Sequence, residues 1–363
     1  MLKHFIFICA ILLNLCFTAQ AQYSFREGFI KEEYMDMLAI AERQIDTPFT
    51  NRKIPFQKNY ELIYRSPLVG LENRWDLWFS SDSTAVISLR ATTRSTNSWL
   101  SNFYAAMVPA TGSIEISESM RFDYSLAKNN EAAIHVGWLL ALAHMANDIV
   151  MHMEALNKVG VRNFIITGHS QGGAIAFLLT AYLNQLQKKI EIPLDVQFKT
   201  YCSAAPKPGN LFFAYEFERN NMNRAFNIIN PKDWVPETPV SIQTVNDFNV
   251  LSPFRKADQL LGKLKFPEKM AAKYAFRKLD KPTRKAQRRY ERYLGKVVSK
   301  FVKDQLPDYK APKYYCSNNY VRTGTSIILP VNEAYEQWYP DTGENIFLHH
   351  SLSAYYYLSR FLP

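Results

Sequence analysis

Beyond its first 22 residues, this chain of 363 residues has no stretch long and apolar enough to span a bilayer. It has no internal repeat and no low-complexity linker to mark a domain boundary. No cluster of Cys, His and carboxylates has the spacing of metal ligands, so no metal is expected. Only four cysteines are present, and two of them, Cys9 and Cys16, lie in the opening stretch. That leaves one disulfide, Cys202 to Cys316, open to an exported chain. Cys202 sits in the core-strand pattern "VQFKTYCSAA", where a free buried thiol is the simpler reading.

The opening stretch "MLKHFIFICAILLNLCFTAQAQ" has Lys3 and His4, an apolar run from Phe5 to Phe17, and then Ala19-Gln20-Ala21. This is the pattern of a cleavable secretory signal over residues 1–21, which implies a secreted or periplasmic protein. A lipid-modified Cys16 is the alternative, disfavoured by the bulk of Leu15 before it. Residues 22–363 are then expected to form one domain, since they can fill one large core.

Positive charge is unevenly spread. Residues 255–313 hold 19 Lys and Arg against 6 Asp and Glu, a surplus of 13 that exceeds the net +10 of the whole chain. The remainder is slightly acidic.

Residues 26–45 read as an amphipathic helix, and "YELIYRS", "RWDLWFS" and "TAVISLR" as successive strands. Residues 136–158 have the apolar spacing of a long helix. Strand and helix patterns then alternate through "NFIIT", "GAIAFLLTAYLNQL", "VQFKTYCSAAP", a helix over 209–220, and "RAFNIIN". Such alternation implies an α/β fold with a mostly parallel central sheet flanked by helices. A basic helical insertion is expected at about 252–312, as a hairpin broken at Lys281-Pro282. Residues 314–329 return to strand patterns, and the chain closes in a helix with His349 and His350 at its start.

Between the strand "NFIIT" and its helix stands Gly168-His169-Ser170-Gln171-Gly172-Gly173. It fits G-x-S-x-G, a tight strand-to-helix turn that exposes the serine oxygen above the sheet edge. Glycines are needed two residues either side, where side chains would collide with the neighbouring strand and helix. The N–H of Gln171, at the helix start, is placed to hold an oxyanion. A nucleophilic serine also needs a base and an acid. Asp233 follows the strand "RAFNIIN" in a turn held by Pro231 and Pro236, with Glu237 as its rival. The base is sought in His349 or His350, the only histidines after Asp233. His169 reads as structural and His135 as a packed core residue.

These motifs together resemble the class 3 lipases, a branch of the α/β hydrolases. The turn is close to the family's GHSLGG. "VISLRATTRSTNSW" is similar to its RGT or RGS strand followed by tryptophan, and "IHVGW" to its H-x-G-F. "TYCSAAPKPGN", "NIINPKDWVPETP" and "HHSLSAY" resemble its later segments, in family order over about 85–240 and 345–360. The resemblance implies the α/β-hydrolase fold, with Ser170 as nucleophile, Asp233 as acid and His350 as base. His350 is preferred over His349 by its spacing to Tyr355. It implies Thr92, through its N–H and hydroxyl, and Gln171, through its N–H, as the oxyanion hole. Ala91 stands where the family has glycine, Gln171 where it has leucine, and the basic insertion has no family counterpart.

The implied activity is hydrolysis of acylglycerol or phospholipid esters through an acyl-enzyme, without a cofactor. The other readings are a non-catalytic lipid-surface protein keeping the fold and an acyltransferase. For residues 255–313, where Lys and Arg interleave with aromatics, a solvated structural cap competes with peripheral contact to an anionic membrane. Export and the lack of a binding motif argue against nucleic acid.

Overall fold

The computed structural model describes residues 25–45, 54–56, 58 and 60–363. The expected signal segment, 1–21, lies outside the described residues.

Seven strands build the central sheet: β1 (Tyr60–Arg65), β2 (Trp75–Ser80), β3 (Thr84–Leu89), β4 (Asn163–His169), β5 (Gln197–Ser203), β6 (Ala225–Ile229) and β7 (Thr325–Ile328). They lie side by side in chain order. The first two pairings are antiparallel and the remaining four, from β3 to β7, are parallel. The central strands are buried on both faces, as parallel strands covered by helices must be. Alternate residues divide between two cores: Phe164 and Ile166 face one, Ile165 the other.

Beneath the first face pack α2 (Val136–Lys158) and α3 (Gln171–Lys188). On the opposite face lie α1 (Lys31–Glu42) and the C-terminal α5 (Leu352–Ser359), which touch each other. α1 is shorter than the 26–45 expected from pattern. α2 starts where His135 Nδ1 accepts the Trp138 N–H at 3.3 Å, a side-chain cap in place of the usual Ser or Asp. This arrangement is the α/β-hydrolase fold. It brings the carboxyl ends of β3, β4 and β6 to one edge, where open α/β sheets hold their ligands.

The basic segment departs from the expected hairpin. A short helix (Ala257–Gly262) is followed by α4 (Glu268–Tyr290), which passes through Pro282 without interruption. A proline removes one helical hydrogen bond, and beyond it Tyr290, Glu291, Val297 and Val298 keep helical backbone. A π-helical stretch, Glu291–Val297, then leads into the helix Val298–Gln305. Gly295 lies within that stretch, where a Cβ would come within 2.9 Å of both Ala106 and Tyr314. The rod is anchored by its far end: Val302 is fully buried in the main core, whereas Gln287 is the one buried residue of α4. Cys202 is buried and Cys316 exposed, and both are free thiols.

Candidate active site

Ser170 stands between β4 and α3 with φ 59° and ψ −127°, a backbone conformation that costs on the order of 1–3 kcal/mol outside glycine. The turn is held because the Ser170 N–H donates to the Ser203 carbonyl at 2.8 Å. A Cβ on Gly168 would lie 2.2 Å from the Gly172 carbonyl carbon, and one on Gly172 would lie 2.2 Å from the Leu89 oxygen. Both positions therefore exclude any side chain, and the strand-to-helix turn can close only on glycine.

His350 reaches this turn from the loop before α5. Its Nε2 is 2.7 Å from Ser170 Oγ, and its Nδ1 is 2.7 Å from Asp233 Oδ2. Asp233 lies beyond the end of β6 and its side chain is fully buried. Its Oδ1 accepts the Val235 N–H at 2.9 Å, and its Oδ2 also accepts the Tyr355 hydroxyl at 2.8 Å. That hydroxyl accepts the Asn230 N–H at 3.1 Å. Three donors thus surround a buried carboxylate, which offsets the cost of keeping it charged. Glu237, the rival acid, stays in the short helical turn that follows.

His349 turns away. Its Nδ1 meets the Tyr335 hydroxyl at 2.7 Å and its Nε2 meets Asp341 at 2.5 Å. His169 is buried, and its Nε2–H donates to the His350 carbonyl at 2.8 Å. Its Nδ1 therefore accepts from Ser203 Oγ at 3.0 Å. Burial, reinforced by His350, pushes its pKa down to about 3, so it is neutral. His135 is likewise buried and pushed to about 3 by desolvation.

Thr92 lies on the loop after β3, across from the start of α3. Its hydroxyl donates to Gln171 Oε1 at 3.1 Å and accepts from Asn102 Nδ2 at 2.8 Å. Asn102 is fixed in turn by Trp138 Nε1–H at 3.0 Å, and Gln171 Nε2 donates to Asn73 Oδ1 at 3.2 Å. The Thr92 hydroxyl proton is thus committed to a protein acceptor. The Gln171 N–H opens α3 and has no partner within the helix. Ala91 is not among the residues with left-handed backbone, so this loop needs no glycine there.

Ser170 and His350 open into a cavity of about 1380 Å³. Aromatic side chains dominate one wall: Trp99 lies 6.1 Å and Trp234 5.4 Å, between ring centroids, from Phe347, which is 6.0 Å from His350. Leu294, from the basic segment, also lines it. Among the described residues no group of three or more His, Cys or carboxylates could hold a metal ion. The Gln171–Thr92 link, the His169 brace and the Leu294 wall carry no signal in the sequence. Tyr355 carried one, its five-residue spacing from His350.

The family described as lipase (class 3) matches residues 86–242, which include Ser170 and Asp233 but not His350. A triacylglycerol lipase of Ricinus communis is 38% identical over 80 residues, 21% of this chain and 15% of that protein. A secreted mono- and diacylglycerol lipase of Fusarium solani is 32% identical over 107 residues, 29% of each. The chain thus spans less than a third of the length of either relative. Among solved structures, a triacylglyceride lipase of Rhizomucor miehei aligns with a TM-score of 0.44 at 17% identity, over 59% of this chain and 77% of its own. Over residues 86–242, then, this chain is similar to the class 3 lipases.

Proposed function

We propose that this protein is a serine carboxylic ester hydrolase acting on lipid esters, acylglycerols or phospholipids. One observation carries the reading: Ser170 Oγ, His350 and buried Asp233 form a continuous hydrogen-bonded line at the floor of an aromatic-walled cavity. Cavities of this size and lining suit long apolar ligands with one polar reacting group. The relatives' names, acylglycerol lipases, support the substrate class. The secreted relative and the opening signal pattern support export.

In this mechanism Ser170 Oγ attacks the ester carbonyl carbon while His350 Nε2 takes its proton. Asp233 holds the Nδ1–H tautomer and stabilises the imidazolium that forms. The backbone N–H groups of Gln171 and Thr92 donate to the tetrahedral oxyanion. As the ester C–O bond breaks, His350 gives its proton to the leaving alcohol. Water then attacks the acyl-enzyme, its proton passing through His350 back to Ser170. The strained serine backbone and the neutral His169 hold nucleophile and base in register and take no proton themselves.

The test is covalent labelling with a fluorophosphonate, together with turnover of nitrophenyl esters, triacylglycerols and phospholipids. Wild type should label and hydrolyse, and Ser170→Ala should do neither. Folded wild type that resists labelling and cleaves no ester would refute the reading.

A further inference from the structure

α4 presents two different faces. Residues 272, 276, 280, 283, 287 and 290 are partly or fully buried, the spacing of one inward stripe. Opposite them, Lys278, Lys281, Lys285 and Arg288 recur every three or four residues, and all are exposed. Arg292 and Lys296 continue exposed and basic along the π-helical stretch. None of these six forms an ion pair among the described residues; Arg284, by contrast, is bound to Asp280 at 2.6 Å. Lys278 and Arg292 lie over the rings of Tyr274 and Tyr293, at 5.2 and 5.8 Å from the centroids, but no carboxylate neutralises the line.

Apolar groups accompany the charge. Met270 and Tyr274, two turns and one turn before the stripe, are 64% and 65% exposed, and Phe266, just ahead of the helix, is 78% exposed. Exposed side chains of this size next to cations suit the boundary between headgroups and acyl chains, where both kinds find partners. A nucleic acid or an acidic protein would use the cations but leave Met270 and Phe266 in water. The same rod lends Leu294 to the wall of the cavity that holds Ser170.

We propose that the outward face of α4, from Met270 through Arg288 and on to Lys296, docks the protein on an anionic membrane. The docking does not depend on the hydrolase reading, and its test is a binding measurement.

Ser170→Ala protein, which leaves the vesicles intact, is sedimented with phosphatidylcholine vesicles containing or lacking phosphatidylserine. Each basic residue near an anionic leaflet contributes a factor of about five. The four cations Lys278, Lys281, Lys285 and Arg288 should therefore make binding to the anionic vesicles stronger by about 600-fold, and that gain should weaken as salt shortens the screening length from about 8 Å toward 3 Å. Reversing Lys278, Lys281, Lys285 and Arg288 to Glu should remove the preference. Met270→Ser with Tyr274→Ser should remove the part of the binding that survives high salt. Circular dichroism confirms that each variant is folded, and the four reversals, made in the Ser170 background, should leave turnover of a soluble ester unchanged. Equal partition to both vesicle types, a charge-reversed variant that binds as before, or tighter retention on an oligonucleotide than on anionic vesicles would overturn the proposal. Absence of ester turnover by wild type, with vesicle binding intact, would count against the hydrolase reading alone.

Discussion

Thr92 offers the sharpest test of how the oxyanion is held. Its hydroxyl has one proton, and that proton goes to Gln171 Oε1, while Asn102 Nδ2 donates to its oxygen. Thr92→Val keeps the shape and the backbone N–H but strands both partners. Gln171 is nearly fully buried, so its orphaned carbonyl should cost about 1–3 kcal/mol of stability. Gln171→Leu strands the Thr92 hydroxyl in the same way. The double variant replaces both polar ends of that bond by apolar groups, so the cost of orphaning either end cancels, while Asn102 Nδ2 and Asn73 Oδ1 still lose their partners. Stability losses of the single variants should therefore not add; urea denaturation of all four proteins gives the coupling. If the hole rests on backbone donors, kcat on a soluble ester should fall less than about tenfold in the double variant, against about 10²–10³-fold for loss of a true oxyanion donor. A double variant that regains stability but stays 10²–10³-fold slow, with KM unchanged, would show that the hydroxyl leaves Gln171 for the oxyanion and would refute the argument.

Other outcomes follow from the same geometry. His350→Ala should lower kcat on the order of 10⁴-fold, whereas His349→Ala, which breaks only the contacts to Tyr335 and Asp341, should keep substantial activity; the reverse pattern in steady-state assays would exchange their roles. Tyr355→Phe leaves the buried Asn230 N–H without its acceptor and Asp233 with one donor fewer, so stability should drop by about 1–3 kcal/mol with a smaller kcat, measured by denaturation and kinetics. Gly172→Ala should fail to fold or unfold at much lower urea, because its Cβ meets the Leu89 carbonyl. His135 and His169, held near 3 by burial, stay neutral in the folded chain while the unfolded chain binds their protons below about 6.5. The unfolded state then holds more protons, so stability should fall as pH drops from about 6.5 toward 3, by up to about 1.4 kcal/mol per pH unit for each. Urea midpoints that stay flat over that window would contradict their burial.

The sequence by itself determined whatever is local. Gly168, Ser170 and Gly172 fall within five residues, and the steric conflict that forces glycine arises between neighbours in the chain, so the turn could be read directly. The alternation from β4 to β6 is local in the same sense, and so is the surplus of charge over 255–313. The partners of Ser170 were legible only through chain order and spacing, since His350 stands 180 positions away and Asp233 117 before it. Which of two adjacent histidines faces the serine was legible only through the family resemblance, in the spacing of His350 to Tyr355, and the tertiary structure supplies the contacts that separate them. In the loop before α5 successive side chains point in different directions, so His349 and His350 cannot share a partner, and composition says nothing about which is which. It also decided the fate of the Thr92 hydroxyl, because Gln171 lies 79 residues away and meets it only where the loop after β3 crosses the start of α3. Pro282 is the converse case. Its residue type predicts a break, since an interior proline costs a helix about 3 kcal/mol or more, yet α4 runs through it, so the outcome was settled above the level of residue type.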